Sequence, residues 1–537
     1  MMTPTTEQEN IINEEASSVV IARPGSGKTF TLSYKIRNIL SSLPEHRGII
    51  AISYTNKASD EFRDRVLNLG VQKRSSFFGT IDKFCLTEIV IPFLRHKFGL
   101  PPTELKIIKS AESEFLKQLP PEEADGLTWE LVEKLYHAGE IILDFNGRIA
   151  SQLLKENRIL KEYLKAKYSH IIIDEYQDSG KEQHDIFLEL FNLGLTAIAV
   201  GDLDQSIYAF AGKSSDFLYE LSQRPDFKKY PLTVNRRCHP SIATYSLKLI
   251  NPNFVFTNTE DEKRVYCKTV QGYQPEIAKW IEDSIPGLQK KFTNVKPGHV
   301  GILCRSNDSA KLIKNNITKY EVQFREATPL DSMDSPWSFF FSECLYCLLD
   351  PKQSVNDLFE KYMDSGSQKT IHKNALSKLI ELKGKITESD FSILKNSVDA
   401  LRSAAEILVP QSEKLDSERA LQETLVTDIF IESYLPQKDT HIQIMTLHKS
   451  KGLEFDIVFH LDLYQWIIPS FQAIKGDEKE KIQSVNLHYV GITRAKQACI
   501  LVTSTQRYDP KTKNSKDAQL SEFLIRQDLA SMRKNLK

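Results

Sequence analysis

Neither sign of charge dominates this sequence: 70 lysines and arginines face 71 aspartates and glutamates, a formal net charge of -1. No global basic field advertises a polyanion, so any phosphate or nucleic-acid site must be local. Cysteine is scarce, with seven in 537 residues, at 85, 238, 267, 304, 344, 347 and 499. An odd, scattered set argues against a disulfide framework and fits a reducing compartment. Cys344 and Cys347 form a CxxC, but no second pair or histidine follows at a metal-binding spacing. Inside WSFFFSECLYCLL they read as buried helix residues rather than a zinc or redox site. No apolar run approaches the ~20 residues of a membrane span. The N-terminal MMTPTTEQENIINEE lacks the basic and apolar regions of a signal peptide. A soluble cytoplasmic protein without membrane association is therefore expected. No short-period repeat or low-complexity tract is present, and the Lys-rich C-terminus reads as a frayed tail.

What the sequence does have is a recurring apolar, β-branched run that ends in polar or charged residues. Examples are GIIAIS at 48 to 53, HIIIDE at 170 to 175 and LTAIAVGD at 195 to 202, then HVGILCRS, IQIMTLH and FDIVFHLD. Continuous apolar strands separated by helical segments predict parallel sheets covered on both faces. The length supports about three or four folding units. The strands fall into two groups, 18 to about 234 and about 263 to 503. Each is interrupted by a strand-poor, helix-like stretch, about 85 to 165 and about 308 to 435. The pattern predicts an α/β protein of two lobes, each with an inserted helical subdomain.

Between the apolar Val19-Val20-Ile21 and the helix-compatible TLSYKIRNIL lies ARPGSGKT, Ala22 to Thr29. Strand, glycine turn and helix in that order make a phosphate cradle: Gly25 and Gly27 permit the tight turn that aims backbone N–H groups and the helix N-terminus at phosphate oxygens. Lys28 adds a mobile positive charge and Thr29 a hydroxyl for Mg²⁺, while Ala22 stands where the strict pattern has glycine. Further on, IIIDEYQDS ends a strand in two carboxylates. Asp174 is placed to hold Mg²⁺ through water, and Glu175 to orient and deprotonate an attacking water. In LDQSIYAF, Gln205 is positioned to sense the γ-phosphate, and Tyr208 and Phe210 offer aromatic faces to unstacked bases. VNRRC supplies Arg236 and Arg237, and VGITRAK supplies Arg494. Arginines that reach a nucleotide from a second lobe stabilise transition-state charge and couple lobe closure to the γ-phosphate.

TEQ around Gln8, ARPGSGKT, ISYTNKASDEF, FGTIDKF, IIIDEYQDS, VGDLDQSIYAF, LTVNRRC, GILCRSN, IQIMTLHKSKGLEFDIVF and HYVGITRAK follow one another from residue 8 to about 503. In that order they resemble the motifs of the superfamily 1 DNA helicases of the UvrD, Rep and PcrA type. The resemblance implies two RecA-like lobes: 1A, residues 1–84 and 166–234, and 2A, residues 235–307 and 436–537. It also implies a helical insertion 1B at 85–165 and a reduced helical insertion 2B at 308–435. ATP and Mg²⁺ are the implied ligands, with the metal held at Thr29 and Asp174. The implied catalytic set is Lys28, Asp174, Glu175, Gln205, Arg237 and Arg494, the two arginines resembling γ-phosphate ligands. Nucleotide contacts carried over are Gln8, resembling an adenine-reading glutamine, then Ala22, Arg23, Pro24, Gly25, Ser26, Gly27, Lys28, Thr29, Phe30, Arg236, Gly452 and Glu454. Single-stranded DNA is implied to touch Tyr54, Thr55, Asn56, Thr80, Tyr208, Phe210, Arg305, Asn307, Thr446 and His448. Movement 3′ to 5′ is implied with them.

Departures narrow the resemblance. The family's adenine sandwich places an Arg after the P-loop Thr and a Tyr before the motif IV Arg. Here those positions are Phe30 and Arg236, an exchange that still leaves an aromatic and a guanidinium to clamp the base. Asp82 stands where a histidine is usual, Phe210-Ala211 replaces Trp-Arg, and the Glu-Glu-Arg-Arg run ahead of Tyr489 is absent. GTIDKF with EIVIPFLRHKFG, IDEYQDS with GKEQHDIF, and TPLDS resemble the small UvrD-like helicases of Gabija anti-phage systems. That likeness implies a hetero-oligomer with a Gabija protein A-type nuclease, which carries a Toprim domain. A stand-alone DNA repair helicase and a DNA-sensing ATPase switch with little unwinding remain open as alternatives, with single strands or duplex ends as the DNA partner.

Overall fold

The computed structural model describes residues 3–53, 56–101, 105–110, 113–119, 127–203, 215–255, 262–292, 295–324, 326, 328–333, 335–362, 369–387, 390–409, 415–436, 438–509 and 514–536. The runs at 48, 170 and 195 become inner strands of a first sheet. Its members are β1 (Ser18–Ala22), β2 (Gly48–Ile52), β3 (Phe77–Gly79), β4 (Tyr168–Ile173), β5 (Thr196–Gly201) and β6 (Lys228–Leu232). They pair in the order β3-β2-β4-β5-β1-β6, every neighbour parallel. β1 therefore lies beside β5 and β6 rather than beside β2, and this reversal of strand order is where ligand crevices open in parallel sheets. Helices α1 (Thr6–Asn13) and α2 (Lys28–Ser42) help cover it. Ile11, Leu32, Ile36 and Leu40 pack with Val20, Ile49, Ala51, Ile172, Ile198 and Val200 in one core.

Six of the seven strands of the second sheet repeat this plan: β7 (Val265–Val270), β8 (Val300–Cys304), β9 (Ile442–Thr446), β10 (Phe455–His460), β11 (Ala495–Ser504) and β12 (Lys534–Asn535). The order is β9-β8-β10-β11-β7-β12, again all parallel. Helix α3 (Glu478–Thr493) leads directly into β11. The expected frayed C-terminus is corrected here: Lys534 and Asn535 pair with Tyr266 and Cys267, and Leu536 N–H donates to Cys267 O at 2.9 Å. Exposed strand edges carry unpaired backbone groups, and these last residues satisfy some of those of β7.

Two compact units result. One holds both sheets (residues 1–91, 147–322 and 439–537), and the other gathers residues 92–146 and 323–438. The second unit is mainly helical, but it contains a short parallel ladder, Lys106–Ile108 with Glu140–Ile142, that three-residue runs could not announce in a strand-poor stretch. Its core is centred on the helix Pro336–Leu349, whose Trp337, Phe340, Phe341, Cys344 and Leu345 are fully buried with Leu379, Leu394, Leu401 and Leu421. Cys344 and Cys347 are core residues, as their apolar setting predicts. Among the described residues no cluster of His, Cys, Asp or Glu is arranged for a metal, and no helix is long and apolar enough to cross a membrane.

Trp337 also donates its Nε1–H to Val409 O at 2.8 Å. Trp337→Ala is expected to cost about 3–5 kcal/mol in urea unfolding, and Trp337→Phe distinctly less. Unchanged unfolding of the alanine variant would contradict this core.

Candidate active site

β1 ends at Ala22, a buried residue of the first core, which explains why a small apolar side chain serves at the position where the strict pattern has glycine. Arg23 N–H then donates to Leu232 O (2.9 Å), and the chain turns. Ser26 closes the turn by donating its hydroxyl to Arg23 O at 2.6 Å. Gly25 and Gly27 have φ of +70° and +83°. A Cβ at Gly25 would lie 2.6 Å from Arg237 Cβ and Asn235 Oδ1, and one at Gly27 would lie 2.7 Å from Gln8 Nε2. Both glycines are thus demanded by backbone angle and by close approach. Gly27 caps α2 without a side chain, so the helix N-terminus is left open, the end suited to anions by its N–H groups and dipole.

Neighbouring segments brace the turn. Gln8 is buried; its Oε1 accepts Thr5 N–H (2.9 Å) and its Nε2 donates to Ser26 O (3.0 Å). Arg236 N–H donates to Gly25 O (2.8 Å), and its guanidinium donates to Thr3 O (3.2 Å). Phe30, in the first turn of α2, lies 4.6 Å from the Tyr34 ring. Phe30 and Arg236 thus flank the same loop. Pro24 is buried and Thr29 is half-buried in the first turn of α2.

β4 carries the two carboxylates to the loop. Asp174 N–H still donates to Ile52 O (3.0 Å), while Glu175 takes φ +55°, a left-handed conformation uncommon outside glycine and concentrated at functional sites. Glu175 Oε1 accepts from Lys28 Nζ at 2.7 Å, and Gln177 Nε2 donates to Glu175 Oε2. Gln177 Oε1 in turn accepts Asp202 N–H (3.0 Å), tying the carboxylate loop to the end of β5. Burial alone would raise Glu175, but the charges of Lys28 and Lys451, with the hydrogen bonds from Lys28 and Gln177, hold it below the usual carboxylate range. Asp174, half-buried, moves the other way: desolvation raises it, and Lys28 only partly offsets this. Lys28 is raised despite burial by Glu175, Asp174 and Asp202. Two adjacent carboxylates pushed apart in acidity can take different roles.

The second sheet meets this loop through three segments. Arg237 pairs with Glu454 at 2.7 Å, and Lys496 reaches Glu454 at 3.4 Å. Cys238 Sγ donates to Thr493 O (3.6 Å). Arg494 follows α3 and is 2% exposed, with Nε donating to Val490 O (3.1 Å), one NH₂ group to Leu453 O (3.3 Å) and the other to Thr493 Oγ1 (3.3 Å). Burial and then the nearby Arg237 charge lower Arg494 to about 10. Gly452, at φ +87°, gives the tight turn between Lys451 and Glu454. Lys451 forms a buried ion pair with Asp178 of the carboxylate loop, a contact that sequence reasoning missed although both residues stand inside the quoted motifs.

Of the expected DNA contacts, Thr446 ends β9, and Arg305 and Asn307 follow β8, its parallel neighbour. His448 lies close enough to Arg305 and Lys451 for their charges to add to burial and lower it to about 4. Thr80 caps the short helix Ile81–Phe84, its hydroxyl accepting Lys83 N–H at 3.3 Å, with Asp82 exposed beside it. Asn56 begins the helix Asn56–Leu67. Tyr54, Thr55, Gln205, Tyr208, Phe210 and the Asn56 side chain lie outside the described residues.

Comparison with known proteins follows this geometry. Residues 4–98 and 103–226 match the family model of the UvrD/REP helicase N-terminal domain, and residues 343–506 that of the UvrD-like helicase C-terminal domain. Together these cover well over half of the chain. The chain is 29% identical to the Gabija protein GajB of Bacillus cereus (strain VD045) over 514 residues, 93% of this chain and 96% of that protein. It is 23% identical to the ATP-dependent DNA helicase Rep of Buchnera aphidicola subsp. Schizaphis graminum, over 89% of this chain and 90% of that protein. With the ATP-dependent DNA helicase PcrA of Staphylococcus epidermidis (strain ATCC 12228) the identity is 21%, over 93% of this chain and 83% of the relative.

Burial raises Asp178 from 3.8 to about 6 even against the attraction of Lys451. A carboxyl whose folded value is raised contributes stability that is complete below its unfolded value and lost as pH rises through the folded one. Asp178→Asn cannot titrate, so the stability of the native chain relative to the variant is expected to fall by about 1–3 kcal/mol between pH 4 and pH 8, on top of a pH-independent offset from leaving Lys451 without its counter-charge. Thermal unfolding across that range checks this, and a difference that stays flat or rises with pH would contradict it.

Proposed function

The chain belongs to the UvrD/REP helicase family, and from that premise we propose that it is a DNA-dependent ATPase that translocates 3′ to 5′ on single-stranded DNA. We place it in Gabija-type anti-phage defence, coupling DNA sensing and nucleotide hydrolysis to a Toprim-containing nuclease partner. The observation that carries the catalytic part is the half-buried Lys28–Glu175 pair at the glycine turn, with Arg237 and Arg494 beside the segments of the second sheet. In this reading lobe 1A is residues 1–84 and 166–234, lobe 2A is residues 235–307 and 436–537, and the insertions are 85–165 and 308–435.

The roles follow from charge. Lys28 leaves Glu175 for phosphate oxygens, which frees Glu175 to orient water and accept its proton. Thr29 and Asp174 would hold Mg²⁺, whose chemistry is neutralising charge that builds on the phosphoryl oxygens. The open N-terminus of α2 and the cradle at Gly25 and Gly27 fit a triphosphate. Gln205 senses the γ-phosphate. Arg237 exchanges Glu454 for it, and Arg494 joins from the same side, so nucleotide occupancy draws the second sheet toward the first. Phe30 and Arg236 clamp the base, with Gln8 reading its edge. Tyr54, Thr55, Asn56, Thr80, Tyr208, Phe210, Arg305, Asn307, Thr446 and His448 form the DNA track.

A second reading, an ATPase switch with little unwinding, is favoured by the exposed acidic Asp82 beside Thr80, where it would repel a passing phosphate. Hydrolysis measured with and without single-stranded DNA, followed by strand separation on a 3′-tailed duplex, divides the readings. Stimulation of roughly tenfold or more with strand displacement supports the translocase; stimulation without displacement supports the switch. No hydrolysis under any DNA condition would overturn both. Phe30→Ala and Arg236→Ala are each expected to raise the KM for ATP, and unchanged values in both would remove the clamp.

A further inference from the structure

Three neighbouring strands of the second sheet end side by side. β9, β8 and β10 are adjacent and parallel, so the loops after them line one edge: Thr446 to His448, Arg305 to Asn307, and residues 461–470. The first two carry proposed DNA contacts. The third carries none, yet it is built in an unusual way. Asp462, at φ +63°, ties it to its neighbour, Oδ2 accepting Arg305 N–H at 2.7 Å and Oδ1 accepting Ser309 Oγ–H at 2.8 Å.

Trp466 follows at φ +73°, a conformation that bulky residues rarely take and that clusters at functional sites. Hydrogen bonds from Gln465 N to Gln519 O and from Ile467 N and Ile468 N to Tyr464 O hold the backbone around it. The result is exposure rather than burial: Trp466 is 40% and Phe471 54% accessible, with ring centroids 5.6 Å apart. The other three tryptophans are engaged elsewhere. Trp337 is fully buried, Trp129 lies under Lys97 at 4.4 Å, and Trp280 meets Phe459 edge-on at 6.2 Å.

We propose that Trp466 and Phe471 form a base-stacking platform for single-stranded DNA, extending the track of the two neighbouring loops. This rests on the reading of the chain as a single-strand translocase. Lys475, Lys479 and Lys481 are matched by Asp477, Glu478 and Glu480 in the same stretch, so the patch carries no net charge; Lys475 Nζ lies 5.6 Å from the Phe471 ring centroid, which leaves the indole of Trp466 as the main stacking face. Phosphate is left to Arg305 next door. Every base has a π-face, so stacking holds a strand without reading its sequence, as translocation requires. The platform also supplies an indole face that the motif around Tyr208 and Phe210 lacks.

Titration of the full chain with oligothymidylate, followed by anisotropy and tryptophan fluorescence, tests this. The native chain should bind with quenching. Trp466→Ala should bind about 5- to 100-fold more weakly, the range that loss of one stacked base implies. Trp466→Phe should keep affinity within about twofold but lose most of the quench, which guards against a misfolded alanine variant. Native affinity in Trp466→Ala, or a full quench in Trp466→Phe, would overturn the platform while leaving the translocase reading intact. No binding of oligothymidylate by the native chain would overturn that reading and the platform with it.

Discussion

Lys28 and Glu175 stand 2.7 Å apart where α2 begins and β4 has just ended, both largely removed from water. Neither charge could stay there alone, because an unpaired buried ion costs several kcal/mol and the pair is held by what surrounds it. The surroundings are specific. Gln177 fixes the second oxygen of Glu175 and is itself fixed to Asp202, while the left-handed backbone of Glu175 aims the carboxylate at the glycine turn. The turn in turn leaves no room for a side chain at Gly27, because Gln8 fills that space. In the proposed mechanism a bound phosphate would compete for the same ammonium group, so occupancy and release of the carboxylate would be one event.

The same economy governs the meeting of the two sheets. Lys451, which precedes β10 of the second sheet, is held on the carboxylate loop by the opposite charge of Asp178, and Arg237 is held nearby by Glu454. Charge pairs can exchange partners without repacking a core, which suits the proposed closing and reopening of the lobes. Burial raises the pKa of Asp178 against the attraction of Lys451, so the pair carries a desolvation cost. A contact kept at such a cost is suited to a switching role rather than to stability.

How much of this was legible in the sequence differed by feature. The strand, glycine turn and helix from β1 to α2 are legible because glycine angles and an adjoining apolar strand are local, and the parallel sheets because their strands are continuously apolar. The Lys451–Asp178 pair could not be, since 273 residues separate its members and neither residue's motif announces the other. The partner-seeking of Glu175 escaped too: its expected role was toward water, whereas its geometry binds Lys28 first. The C-terminal run looked frayed because lysines dominate it, yet two residues suffice to pair with β7. The exposure of Trp466 is not legible in the sequence because backbone strain leaves no mark in composition. The ladder of Lys106–Ile108 with Glu140–Ile142 was too short to show a period.

The central claim is that Glu175 is both the resting partner of Lys28 and the group that activates water. Glu175→Gln keeps the shape of the side chain and removes its charge, so the most direct measurement is nucleotide affinity beside steady-state hydrolysis in that variant. The expected result is ATP bound at least as tightly as by the native chain, with turnover slower by about 10²-fold or more. Turnover near the native rate, or loss of ATP binding along with activity, would contradict it.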